Sequence, residues 1–235
     1  MTLTTLIGQL YRKSPYFIRR PIFKTIKFID KPGRYFRTKA DAEIPRVKLE
    51  LKHVQNCQAV LDRATMVSLM PKTGVVAELG VDEGAFSTTL LEGMEPATLH
   101  LVDIWESDRY NDQKFKDVQA KFATELSSGQ VQITRGSSLE AHQNFADSHF
   151  DFVYIDTDHS YGTTKEELYA WASKVKDTGV LAGHDYKMGN WKSANRYGVI
   201  EAVHEFCVQQ GWELVHITLD PTESQSFAIR KIKDD

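Results

Sequence analysis

The stretch VVAELGVDEGAFSTTLL runs from Val75 to Leu91. Residues 75–80 form a short, nearly unbroken apolar run, the pattern of a strand buried on both faces. Gly80 and Gly84 then allow a tight turn and a close backbone approach to a ligand. Helical spacing takes over across 84–92. The pattern is a strand, a glycine turn and a helix, and it repeats along the chain.

Residues 98–103 (TLHLVD), 131–136 (VQITRG), 150–156 (FDFVYID) and 179–185 (GVLAGHD) read as further strands. Helices are expected over 111–127, from Leu139, over 163–176 with Thr163 as the cap, and over 198–209. WELVHITL (212–219) and SQSFAIRK (224–231) are strands joined through Pro221. They lie too close together for a helical crossover, so they should be antiparallel. The expected fold is α/β: a doubly wound, seven-stranded, mostly parallel, Rossmann-like sheet whose last strand is reversed. Upstream, residues 43–69 read as helical, with Val47, Leu51, Val54, Val60 and Leu61 near helical spacing.

At 235 residues, 41% hydrophobic and 26% charged, the chain is sized for one large domain with a packed core. A formal net charge of -3 argues against a general nucleic-acid binder. Cys57 and Cys207 are far apart and form no metal-ligand pair, which fits a reducing cytoplasm. No apolar run reaches the roughly 18 residues of a membrane span. Arg19, Arg20 and Pro21 interrupt the apolar residues of the N-terminus, which lacks the order expected of a signal peptide. Charge is spread unevenly. Residues 1–40 hold ten Lys/Arg against Asp30 alone, leaving 19 basic and 31 acidic groups in 41–235. Residues 1–40 are therefore expected to be a basic N-terminal arm on a domain spanning 41–235.

In a doubly wound sheet, ligands bind at the carboxyl ends of the strands. The first strand ends in Glu78 and Gly80, spaced E-x-G-x-x-x-G with Gly84. This is not the G-x-G-x-x-G of dinucleotide binders, whose second glycine admits a pyrophosphate. The second strand ends at Asp103, an acid that can accept both ribose hydroxyls of a nucleoside. The third ends in Ser137 and Ser138, where an adenine edge would lie. Turn glycines and capping serines are the plainer account of each piece taken alone.

Taken in order, VVAELGVDEGAFSTTLL, LHLVDIW, FDFVYIDTDHSY and GVLAGHDY resemble the class I S-adenosylmethionine-dependent methyltransferases. Within them, the chain is most similar to the branch with macrocin-type sugar O-methyltransferases and cephalosporin-cluster methyltransferases. The resemblance covers roughly residues 70–231. It implies that Glu78 and Gly80 line the methionine end of the cofactor, that Asp103 holds the ribose, and that Ser137 or Ser138 faces the adenine. Ser87 is the corresponding position for the methionine carboxylate, and Asp156 is within reach of the cofactor.

Asp156 and Asp185 end the fourth and fifth strands, and adjacent strands lie about 4.8 Å apart. In related catechol-type and macrocin-type enzymes, acids at these two ends hold magnesium, which would grip the acceptor hydroxyl and lower its pKa. His184, beside Asp185, stands where relatives carry an acid or amide. It moves the preference from Mg2+ towards manganese, iron or zinc. His159 falls where such enzymes place a general base. The bland alternative is that Asp156, Asp158 and His159 simply cap the next helix.

The activity so implied is methyl transfer from S-adenosylmethionine to a hydroxyl, on a sugar or glycosylated small molecule. Residues 105–112 (WESDRYND) and 186–198 (YKMGNWKSANRYG) mix aromatic and polar side chains and are the expected acceptor loops. The arm is expected to pack on its own domain or on a partner in a homo-oligomer, a dimer above all. Peripheral contact with an anionic membrane is the next expectation, and nucleic acid the last. Two rivals remain: an NAD-dependent oxidoreductase on a similar sheet, and a non-catalytic binding module that keeps the fold.

Overall fold

Near-continuous apolar strands need cover on both faces, and the computed structural model supplies it. It describes residue 39 and residues 41–190 and 195–233. The rest of the expected arm lies outside the described residues, as do residues 191–194 of the second acceptor loop. A single turn at Leu51–His53 opens the domain. It is followed by β1 (Gln58–Val60), α1 (Arg63–Ser68), β2 (Val75–Leu79), α2 (Ala85–Met94) and β3 (Thr98–Asp103). Next come α3 (Asp112–Lys121), α4 (Ala123–Ser128), β4 (Val131–Arg135), α5 (Ser138–Ala141), β5 (Phe150–Ile155) and α6 (Tyr161–Ala172). The chain then forms β6 (Val175–Gly183), the short pair β7 (Gly189–Asn190) and β8 (Asn195–Arg196), α7 (Val199–Gln210), β9 (Trp212–Thr218) and β10 (Phe227–Lys231).

The main sheet has eight strands in the order β1-β9-β10-β6-β5-β2-β3-β4. β10 runs antiparallel to both β6 and β9, and the other pairs are parallel. Alternate residues of one strand face opposite layers. Phe152 and Tyr154 of β5 join Met66, Leu90 and Met94 from α1 and α2. Val153 and Ile155 join Leu168, Trp171, Val203 and Phe206 from α6 and α7. The sheet is thus buried on both sides, as its apolar runs require.

Order reverses between β2 and β5. From β2 the chain winds outward to β3 and β4, then returns to β5 on the other flank. Ligands of open α/β sheets bind at such a switch. Among the described residues, no helix is long and apolar enough to cross a membrane.

Several local expectations need correction. Residues 43–69 are not one helix: residues 45–50 carry no regular element, and β1 adds an eighth strand beside β9. Leu51 and Leu61, counted there as one apolar face, are both 74% exposed. Asp62 starts α1 by accepting from the Thr65 amide at 2.7 Å. The helix expected over 111–127 breaks at Phe122 into α3 and α4. α6 is capped by Ser160 rather than Thr163: the Ser160 hydroxyl accepts from the Thr163 amide.

Candidate active site

Three strand ends meet at the switch, and one glycine lets them. Gly80 has φ +87°, and a Cβ there would lie 2.1 Å from the Asp156 carbonyl oxygen. Only glycine allows β2 and β5 to close at this point. The loop after Gly80 is drawn over β3. The Val81 and Asp82 amides donate to Asp103 Oδ2 at 2.8 and 2.9 Å, and the Trp105 amide donates to Oδ1 at 3.1 Å. A carboxylate offers about four lone-pair positions. Three are taken by the protein's own backbone, so Asp103 has room for one further donor on Oδ1, not for a pair of ribose hydroxyls. Gly84, with φ +68°, caps α2 beneath the Phe122 ring, which a Cβ would approach to 2.7 Å. It shapes the turn and does not line the cavity.

That cavity has a volume of about 660 Å³. Glu78, Gly80, Asp103, Ser137, Ser138, Asp156, His159, His184 and Asp185 all line it, so residues far apart in sequence converge as expected. Ser87 does not. It is fully buried, and its hydroxyl donates to Glu78 Oε2. Ser87 therefore holds Glu78 in place from behind. Glu78 is 1% exposed, and burial pushes its pKa up to about 8 despite the Ser87 hydrogen bond.

Asp185 follows β6 in a left-handed conformation, φ +54°, and is 6% exposed. An aspartate held there is the kind of strained residue that clusters at functional sites. Its Oδ2 lies 3.0 Å from His159 Nε2, and its Oδ1 lies 3.1 Å from Lys187 Nζ. Burial works to raise the Asp185 pKa. Hydrogen bonds from His159 and Ser224 and the nearby imidazoles outweigh it and hold the carboxyl well below its usual range. For His159 the balance is mirrored: burial favours the neutral ring, but Asp185, then Asp156 and Asp158, raise its pKa overall. Its ring packs against Tyr197, centroids 4.8 Å apart.

His184 Nδ1 sits 3.4 Å from Asp156 Oδ2 and 4.0 Å from Asp185 Oδ2. Asp156, His184 and Asp185 each offer one ligand atom, and these three atoms lie within 4.8 Å of one another. His184 Nε2 is buried without a hydrogen-bond partner among the described residues. Asp158 plays the capping part. It accepts from the Ser160 amide at 2.9 Å and from the Thr163 hydroxyl at 3.0 Å. All three titratable residues of the DTDH segment line the cavity, and Asp158 also caps α6.

Two lining residues carried no clear sequence signal. Arg63, on α1, pairs with Glu223 at 2.9 Å, covers the Phe86 ring at 4.7 Å and lies 3.9 Å from Asp156 Oδ2. Glu167, on α6, is fully buried and accepts hydrogen bonds from Ser138 and Thr157. Burial pushes its pKa up to about 7. The available clue was its spacing: Glu167 shares the buried stripe of Thr164, Leu168 and Trp171. Of the first acceptor loop, Arg109 and Tyr110 line the cavity, whereas Trp105 is wholly buried with its indole N–H on the Asp82 carbonyl. No described residue of 186–198 lines it, although Tyr197 touches His159.

The architecture is the Rossmann-like methyltransferase fold. A family model described as a methyltransferase domain matches residues 77–186, a span that holds nearly every lining residue named above. No curated protein matches. Among solved structures, the chain is similar to cofactor-bound Rv0187 from MTB, with 15% identity and a TM-score of 0.56 over 90% of this chain and 97% of that one. It is similar to a protein from Corynebacterium glutamicum, at 13% identity and a TM-score of 0.54, covering 91% and 99%. It is also similar to TrmK of M. capricolum in complex with S-adenosyl-homocysteine, at 16% and 0.52, covering 74% and 70%. Together, the family match and these neighbours support a methyltransferase domain on a Rossmann-like fold.

Proposed function

We propose that the chain moves the methyl group of S-adenosylmethionine to a hydroxyl oxygen of a sugar or glycosylated small molecule. The observation that carries the reading is one cavity that holds both a nucleoside-type set and an acid–base set. Glu78, Asp103, Ser137 and Ser138 form the first, and Asp156, His159, His184 and Asp185 the second. The volume suits a ligand of this size. Buried Glu78 matches the cofactor's ammonium, Asp103 one ribose hydroxyl and the serines the base edge.

In the reaction the acceptor oxygen attacks the methyl carbon in line, the sulfur–carbon bond breaks, and S-adenosylhomocysteine leaves. The hydroxyl proton must go to the protein. His159 Nε2 is directed at Asp185, so the ring nitrogen that accepts the proton is Nδ1, and Asp185 stabilises the imidazolium that results. Residues Asp156, His184 and Asp185 suit a divalent cation, the imidazole favouring manganese, iron or zinc over magnesium. Such an ion would lower the hydroxyl pKa. A metal-free version of the same reaction is favoured by Lys187, whose ammonium already faces Asp185 at 3.1 Å. There Asp185 serves to orient His159.

Titration calorimetry with S-adenosylmethionine and NAD, followed by S-adenosylhomocysteine release from a panel of glycosides with and without chelator, tests the reading. Binding of S-adenosylmethionine alone is expected. A chain that binds NAD, or neither nucleotide, overturns it.

A further inference from the structure

Glu167 is fully buried, yet it lines the cavity. Its Oε1 accepts from the Ser138 hydroxyl, and the Thr157 hydroxyl lies 2.7 Å from both of its oxygens. The neighbouring Trp171 indole donates to the Ser138 carbonyl at 3.0 Å. Ser138 is thus fixed by α6 through both main chain and side chain. A hydroxyl has one proton and two lone pairs. Ser138 and Thr157 both give their proton to Glu167. Once Glu167 is ionised, above its pKa of about 7, what they can still offer the cavity is oxygen lone pairs. This wall accepts hydrogen bonds and does not donate them. Ser137 differs: its oxygen accepts from the Leu139 amide, and its proton remains available.

We propose that Glu167 sets which base the cofactor may carry, by taking the hydroxyl protons of Ser138 and Thr157 and turning that wall into a surface that reads an amino edge. The inference rests on the cofactor reading above. A 6-amino purine brings N–H donors to the two acceptor oxygens and a ring nitrogen to the Ser137 proton. A 6-oxo purine reverses both positions and sets acceptor against acceptor. Glu167 is a positioning residue here, acting on the ligand through Ser138 and Thr157.

Calorimetry with S-adenosylhomocysteine and S-inosylhomocysteine at mildly alkaline pH, where Glu167 is ionised, tests this on the full chain and on Glu167→Gln. The wild type should favour the adenosyl ligand by roughly tenfold or more, the usual scale when a site's buried polar groups lose their match. The amide of Glu167→Gln can donate to one hydroxyl and so turn that hydroxyl's proton into the cavity. The preference should then shrink by about tenfold, through weaker adenosyl binding with inosyl binding unchanged or improved. A merely structural role would weaken both ligands alike and leave their ratio where it was. Should Glu167→Gln not fold, Thr157→Val removes one acceptor oxygen and should narrow the ratio in the same direction. An unmoved ratio in either folded variant overturns this inference while leaving the cofactor reading intact. A wild type that binds neither ligand defeats the cofactor reading, and this one with it.

Discussion

Replacing Glu78 by glutamine should make the protein more tolerant of alkaline pH. Glu78 is 1% exposed, and burial lifts its pKa from an ordinary 4.5 to about 8. The folded state therefore keeps this proton at pH values where the unfolded chain has released it. Between pH 4.5 and 8 the native form binds more protons, so stability falls as pH rises. The contribution is whole below 4.5 and has gone by about 8. At about 1.4 kcal/mol per pH unit, ionising Glu78 in the folded state costs up to about 5 kcal/mol. That is a large share of the 5–15 kcal/mol typical of a domain. Glu78→Gln keeps the shape and can still accept from Ser87, but has nothing to ionise. Urea unfolding of both proteins from pH 5 to pH 9 gives the comparison. The wild type should lose several kcal/mol more than the variant across that range. Parallel profiles would refute the reasoning. If the cofactor's ammonium docks on Glu78, S-adenosylhomocysteine should also release a proton near pH 7. The binding heat of the wild type, but not of the variant, would then depend on the buffer.

Asp103→Ala removes an acceptor of three backbone amides as well as the proposed ribose contact. S-adenosylhomocysteine affinity should fall about tenfold to a hundredfold, a loss of roughly 1.5–3 kcal/mol, with a lowered melting temperature; unchanged affinity by calorimetry would remove Asp103 from the site. His159→Ala should lower the maximal rate by about 10²–10⁴ while sparing cofactor affinity, and a rate within a factor of a few of wild type would exclude it as the base. Excess chelator should match the defect of Asp185→Ala if a cation is used, and manganese should reverse it; full activity in chelator would leave Asp185 as the partner of His159 alone. Deletion of residues 1–40 should preserve S-adenosylhomocysteine binding and change the number of subunits measured by light scattering, and an unchanged number would reject the arm as an oligomer contact.

The central strands were legible because β2, β3 and β5 are apolar on both faces and each ends in glycine or a carboxylate. The same logic located Asp103, Asp156 and Asp185, since strand ends in a parallel sheet must converge. β1 was hidden for a physical reason: three residues carry no period, and Val60 gains its partner only through Thr218 on β9. Ser87 and Gly84 lay on the right turn, but sequence spacing does not say which side of a helix start faces the ligand. Arg63 was invisible because α1 reaches the cavity through tertiary packing on α2, not through a strand end. Glu167 was a single acid in a buried stripe, and such a residue reads as a miscounted helix face until Ser138 and Thr157 are seen beside it.

The placement of β10 between β6 and β9 governs when the cavity can exist during synthesis. The segment leading into β10 carries Glu223, which steadies Arg63, and Ser224, which bonds Lys187 beside Asp185. Both arrive with β9 and β10, the last strands of the described sheet to leave the ribosome. Until then β1 lacks β9, β6 has an open edge, and Arg63 on α1 lacks Glu223. Such long-range pairing is slow to form and leaves unpaired strand edges exposed. A nascent chain should therefore gain cofactor affinity in one step, on release of β9 and β10, rather than by degrees as each strand–helix unit emerges.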